Sequence, residues 1–118
     1  MNDHPVVDLE GVLERVEGDK ELLLELVELF AKDKQKQIEQ IRSAMQRGIA
    51  SEIGASAHAI KSALGNLGAM KAWDLAAQLE RAGKESRLSD APALFSSLEA
   101  SIDEFEGAFA ELHAKGEV

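Results

Sequence analysis

Cysteine is absent from the 118 residues, which removes disulfides, thiolate metal sites and cysteine nucleophiles and leaves nothing that calls for an oxidising compartment. The cytoplasm is therefore the expected location. Proline occurs twice and tyrosine not at all, beside one tryptophan and four phenylalanines. So few β-favouring aromatics argue against a sandwich or barrel. Basic charge is scarce as well: 13 Lys and Arg against 22 Asp and Glu give a formal net charge of -9, which repels nucleic acid and anionic membrane surfaces. No stretch approaches the ~20 apolar residues of a membrane span. The opening MNDHPVVDLE has no basic region followed by an apolar run, so no targeting segment is expected. What is present, 45% hydrophobic and 30% charged residues over the length of one domain, suits a helical protein that works with a protein partner or a small molecule.

Five segments carry helical periodicity. Asp8 can cap a short helix with Leu9, Val12, Leu13 and Val16 on one stripe, ended by Gly18. Asp19 caps a segment of about 28 residues in which Leu23, Val27, Phe30, Ile38, Ile41 and Met45 form a stripe broken at Lys34, with Arg47 and Gly48 as the stop. The first half of this segment also carries Leu22, Leu24, Leu26 and Leu29, wider than one stripe needs. Ile49, Ile53, Ile60, Leu64 and Leu67 give a third helix closed by Gly68, and residues 70–82 a fourth, with Gly83 as its expected terminator. The polar stretch 84–90 reads as the one clear loop. Asp90 is the expected cap and Pro92 the first-turn residue of a fifth helix bearing Leu94, Leu98, Ile102, Phe105, Phe109 and Leu112. The predicted fold is all-α: an up-and-down antiparallel four-helix bundle with an additional short N-terminal helix over one end. The ends, about residues 1–6 and 115–118, are expected to be disordered.

One surface of the third helix stands out. At ~100° per residue with Ile53 as the core direction, Ala57, Ile60, Leu64 and Leu67 point inward and His58 points to solvent. The neighbours of His58 on the helix surface are Ser51, Gly54, Ala55, Lys61, Ser62 and Gly65, of which all but Lys61 are small. A glycine inside a helix costs ~1 kcal/mol relative to alanine, so Gly54 and Gly65 predict a surface cleared for a bulky partner. An exposed imidazole is largely neutral at pH 7 and keeps one ring nitrogen nucleophilic, and Lys61 one turn on can steady an incoming anion. Nucleophile, cation and open access fit phosphoryl capture. A plain surface histidine on an alanine-rich helix would show the same His-Lys spacing.

Ala57, His58, Ile60, Lys61, Leu64, Leu67, Gly68, Leu75, Leu79 and Glu80 resemble the histidine phosphotransfer (HPt) signature of two-component phosphorelays, roughly A-H-x-[LI]-K-G-x(5)-G followed by a helix ending in L-E. The spacing from His58 to Gly68 fits without an insertion, and residues 18–33 and 92–114 are similar to the family's second and last helices. The resemblance implies that His58 is the phosphoacceptor, through its ring nitrogen distal to the backbone. Lys61 would contact the phosphoryl oxygens, and Glu80 would accept a hydrogen bond from the other ring nitrogen and so orient the imidazole. Lys84 is a weaker candidate for a second positive charge, because Gly83 is expected to end the helix before it. Where the family usually has glycine four residues after the histidine, this chain has Ser62; serine keeps the surface small and its hydroxyl could donate to the phosphoryl group.

The chain has no G-x-x-x-x-G-K-[ST] loop and so no means of using ATP directly. The implied role is transfer without autokinase activity. A phospho-aspartate on a response-regulator receiver domain, or on a hybrid sensor histidine kinase, donates to His58, and a second receiver accepts. No cofactor is expected on this chain, since the receiver brings the aspartate and the Mg2+, and a monomer suffices. The expected docking surface is the first helix and the start of the second, with the surplus leucines as candidates, although core packing would also account for them. A helical adaptor without catalysis is the competing reading, and it would have no need of Lys61, Glu80 or the small surface. Metal binding is not expected: His4 and His113 lie towards the two ends, and paired E-x-x-H motifs are missing. Trp73 reads equally as a core anchor or as part of the docking rim.

Overall fold

The computed structural model describes residues 4–118 and, among them, contains α-helices and no strand. The helices are α1 (Leu9–Arg15), α2 (Lys20–Arg47), α3 (Ala50–Asn66), α4 (Met70–Lys84) and α5 (Ala91–Ala114), with one 3-10 turn at Leu88–Asp90. Turns of two or three residues reverse the chain between α2, α3 and α4, so neighbours run antiparallel. The 28 residues of α2, at ~1.5 Å each, set the 44 Å long axis of the molecule.

Local chemistry places most boundaries. Asp8 accepts from the Gly11 N–H and Asp19 from the Leu22 N–H, each satisfying a donor that the first helical turn leaves open. Gly48 closes α2 in the left-handed region at φ 65°. One apolar cluster runs through the bundle, with Leu23 and Ile41 of α2, Ile53, Ile60 and Leu64 of α3, Leu79 of α4 and Leu98, Ile102 and Phe105 of α5 fully buried. The interruption of the α2 stripe at Lys34 is answered from α5, where Glu106 pairs with the Lys34 ammonium. Further along, the Arg42 guanidinium reaches Glu99 and lies 5.5 Å from the centre of the Phe95 ring.

The structure corrects four of the sequence expectations. Gly83 does not end α4; the helix continues to Lys84, and Gly83 is buried where α4 meets α3. A Cβ on Gly83 would lie 2.5 Å from the Gly54 nitrogen and 2.8 Å from the Ala50 carbonyl oxygen, so glycine serves a backbone-to-backbone contact and not a helix stop. Asp90 makes no side-chain cap bond at α5, because its carboxylate accepts from Arg87 at 2.7 Å. The N-terminal stretch is docked onto the bundle: the Lys71 N–H donates to the Pro5 carbonyl and the Asp8 N–H to the Gly68 carbonyl, and the His4 ring lies 6.0 Å from Trp73. At the other end, the chain turns back after α5, so that Val118 is buried and its carbonyl oxygen accepts from Nδ1 of His113. Residues 1–3, included in the expected N-terminal disorder, lie outside the described residues.

Gly68 joins α3, α4 and α1. Its φ of 72° suits the turn, and a Cβ there would stand 2.9 Å from the Asp8 carbonyl oxygen and 3.0 Å from the Val12 Cβ. Gly107 in α5 has no such constraint, with open space around the place of a Cβ. Gly68→Ala is expected to destabilise the fold by about 2 kcal/mol or more, whereas Gly107→Ala should stabilise it by up to about 1 kcal/mol. Urea unfolding of the two variants beside the parent measures both signs.

Candidate functional site

His58 and Lys61 lie on α3 one turn apart, and Glu80 and Lys84 lie on α4 one turn apart. Because the two helices run antiparallel and touch through Gly54 and Gly83, the four side chains converge. Glu80 is the hub. It is 5% exposed, and its carboxylate lies 2.7 Å from the Lys61 ammonium, 2.9 Å from that of Lys84 and 3.1 Å from Nδ1 of His58. Burial alone pushes the Glu80 carboxyl up, but the hydrogen bonds from Lys61, Lys84 and His58 outweigh it and hold the pKa down at about 2.

That charge state fixes the imidazole. An ionised carboxylate can only accept hydrogen bonds, so Nδ1 of His58 carries the proton and donates it to Glu80. In the neutral ring Nε2 is then the nitrogen with the lone pair. The His58 side chain is 60% exposed, and Nε2 makes no hydrogen bond to the described residues. Each ammonium has three N–H donors; one from each lysine goes to Glu80, which leaves two on each. Two lysines and one carboxylate give the cluster one surplus positive charge. A shallow groove of ≈ 580 Å³ lined by Ser51, Ala55, His58, Glu80 and Lys84 opens along the α3–α4 seam.

The structure thus brings His58, Lys61, Glu80 and Lys84 together. Lys84 is no loop lysine: it belongs to the last turn of α4 and pairs with Glu80 four residues earlier. Ser62 is exposed beside His58, and its hydroxyl donates to the His58 carbonyl at 3.2 Å, within its own helix. The small residues around His58 divide into two groups. Ser51, Ala55 and Ser62 are exposed, but Gly54 is buried under α4, and a Cβ on Gly65 would come 3.1 Å from Cδ1 of Trp73. Only the first group clears a path to the ring. Trp73 is half-buried, packing against the core and against Gly65. The residue whose part the sequence reading missed is Gly83, and the available signal was its spacing: three residues after Glu80, as Gly54 stands four before His58.

The depressed Glu80 pKa makes an acid-side prediction. A glutamate in the unfolded chain takes up its proton around 4.5, and folded Glu80 around 2, so the unfolded state protonates first as the pH falls. The stabilisation is complete above about pH 5 and is lost progressively as the pH drops from the unfolded value towards the folded one, by up to about 2 kcal/mol on reaching pH 3. Glu80→Gln should lack this part of the acid sensitivity. Urea unfolding from about pH 6 to pH 3 should show the stability gap between parent and variant narrowing across that window.

Comparison with known proteins bears on the same residues. No curated protein matches the chain. Among solved structures it is similar to the crystal structure of histidine-containing phosphotransfer protein B (HptB) from Pseudomonas aeruginosa PAO1, with a TM-score of 0.77 and 24% identity over 94% of this chain and 96% of that one. At that identity the likeness is one of fold. Residues 25–108 match the Hpt domain, a span that runs from α2 into α5 and includes His58, Lys61, Glu80 and Lys84. The chain belongs to the Hpt domain family.

Proposed function

We propose that this chain accepts a phosphoryl group on Nε2 of His58 from the phospho-aspartate of a receiver domain and passes it to another receiver in a phosphorelay. The observation that carries the reading is the bond from His58 Nδ1 to buried, ionised Glu80, which leaves Nε2 as the exposed nucleophile, with two lysines on the same carboxylate. In the forward step the P–O bond to the receiver aspartate breaks and a P–N bond to Nε2 forms, while the Nδ1 proton stays where it is. The ring gains positive charge as it loses its lone pair, and the Glu80 carboxylate faces that charge. Lys61 and Lys84 turn their remaining N–H donors to the phosphoryl oxygens. Mg2+ belongs to the receiver, and this chain supplies a presented imidazole and a docking surface. No helix among the described residues is long and apolar enough to cross a membrane, and the reading places the exchange in the cytoplasm between a monomer and its receivers.

The docking surface extends from His58 towards α2. Leu22 and Leu29 are 41% and 55% exposed, whereas Leu24 and Leu26 pack against the core, so the leucine surplus divides between the two roles considered for it. Leu26, Leu29, Phe30, Ala63 and Leu67 line a groove of ≈ 200 Å³ between α2 and α3. The surrounding charge is acidic: residues 8–33 hold nine Asp and Glu against three Lys and Arg, and Glu21, Glu25 and Glu28 are exposed. A receiver seated here meets apolar side chains inside an acidic frame.

Incubation of the protein with phosphorylated receiver domains and Mg2+ should place a base-stable, acid-labile label on the wild type and none on His58→Gln of equal helicity. Label that persists in the variant, or a folded wild type that takes none from any receiver, removes the reading. Leu29→Asp should leave stability within about 0.5 kcal/mol but slow transfer from a receiver at least tenfold, as measured by quenched-flow labelling; an unchanged rate takes Leu29 out of the docking surface.

A further inference from the structure

The contact that brings α4 to α3 lies one turn from each half of the site. Gly54 stands four residues before His58, and Gly83 three after Glu80. Both are buried, and the two backbones meet there with no side chain between them. At Gly54 there is ordinary room, since a Cβ would sit 3.5 Å from the Glu80 carbonyl oxygen and 3.7 Å from the Lys84 nitrogen. At Gly83 there is none. A Cβ would fall 2.5 Å from the Gly54 nitrogen, 2.8 Å from the Gly54 Cα and 2.8 Å from the Ala50 carbonyl oxygen, all backbone atoms that cannot rotate away.

From this we infer that Gly83 is a positioning residue for phosphoryl transfer at His58: it sets the approach of α4 to α3 at which the Glu80 carboxylate reaches Nδ1. The inference rests on the phosphotransfer reading of His58. The distances carry it. A Cβ at 2.5 Å needs about 1 Å of helix separation before it reaches ordinary contact. The Nδ1 to Oε2 distance is 3.1 Å, and lengthened by that much it is no longer a hydrogen bond. The imidazole reaches only a short way from its backbone, and Glu80 is held at the same time by Lys61 on α3 and Lys84 on α4, so a carboxylate that follows His58 and Lys61 towards α3 is drawn away from Lys84 on its own helix. Without its acceptor, His58 is released to the tautomer that has its proton on Nε2 and no lone pair there.

Gly83→Ala tests this with two independent readouts, nitrogen-15 NMR of the His58 ring for the tautomer and the rate of label transfer from a phosphorylated receiver domain. The expected result is a His58 ring shifted from the Nδ1–H to the Nε2–H form and transfer slowed at least tenfold, in a protein that is still helical by circular dichroism. Gly107→Ala, on α5 with open space around it, should change neither readout. If Gly83→Ala does not fold, Gly54→Val adds bulk to the same contact from the α3 side and should give the same pair of changes. A folded Gly83→Ala or Gly54→Val protein that keeps the Nδ1–H tautomer and the parental rate overturns the inference. A tautomer shift in a protein whose wild type takes no label from any receiver upholds the positioning geometry and removes only the phosphotransfer reading.

Discussion

The arrangement depends on one buried carboxylate. Glu80 has lost most of its water, and an ion in that position is tolerated only when its lone pairs are matched by donors. Three side chains supply them, two from α3 and one from α4 itself. The requirement works in both directions. Glu80 needs the lysines and the imidazole in order to stay ionised, and while it stays ionised it dictates which nitrogen of His58 holds the proton. Removing either lysine would therefore do more than delete a charge near the ring, since it would weaken the carboxylate's hold on its ionised form.

Burial of that kind needs close helices, and here the side chains at the crossing are reduced to hydrogen. Helices in globular proteins usually pack with side chains interleaved and axes 8–10 Å apart. The Gly54 and Gly83 contact brings the α3 and α4 backbones together within one turn of the site. Each glycine gives up helix propensity, and in return the short reach of an imidazole spans the gap between helices. Gly65 does similar work beside Trp73, away from the ring.

Much of this was legible in the sequence where a local rule decides the matter. Asp8, Asp19 and Gly48 sit at helix ends as capping chemistry requires, and the apolar spacing of α3 alone turns His58 outward. Pairing His58 with Glu80 came from the resemblance to a known signature, since nothing local says that two helices will meet there. The misreadings have two causes, a distant backbone contact and a competing local ion pair. Gly83 looks like a terminator until the α3 backbone is set against it, and Lys84 looks like a loop residue only because Gly83 does, although its partner Glu80 lies four residues earlier on the same helix; Asp90 keeps the cap position but gives its carboxylate to Arg87, three residues before it. Gly54 and Gly65 look like cleared surface until α4 is packed against them. The chain ends followed suit, because Val118 and Pro5 find their partners only once the bundle exists.

His58, Lys61, Glu80 and Lys84 all fall within the consecutive helices α3 and α4, and the contact that aligns them, Gly54 against Gly83, lies in the same pair. The exposed leucines belong to α2, and their acidic frame to α1 and the first half of α2. On the proposed docking surface most of the recognition side chains precede the reacting cluster in the chain, with Ala63 and Leu67 joining the two. On the proposed reading, substitutions on the outer face of α2 would redraw the set of acceptable receivers and leave the His58 cluster intact. In a chain of this size, such a division lets one reaction be kept while the wiring around it diverges.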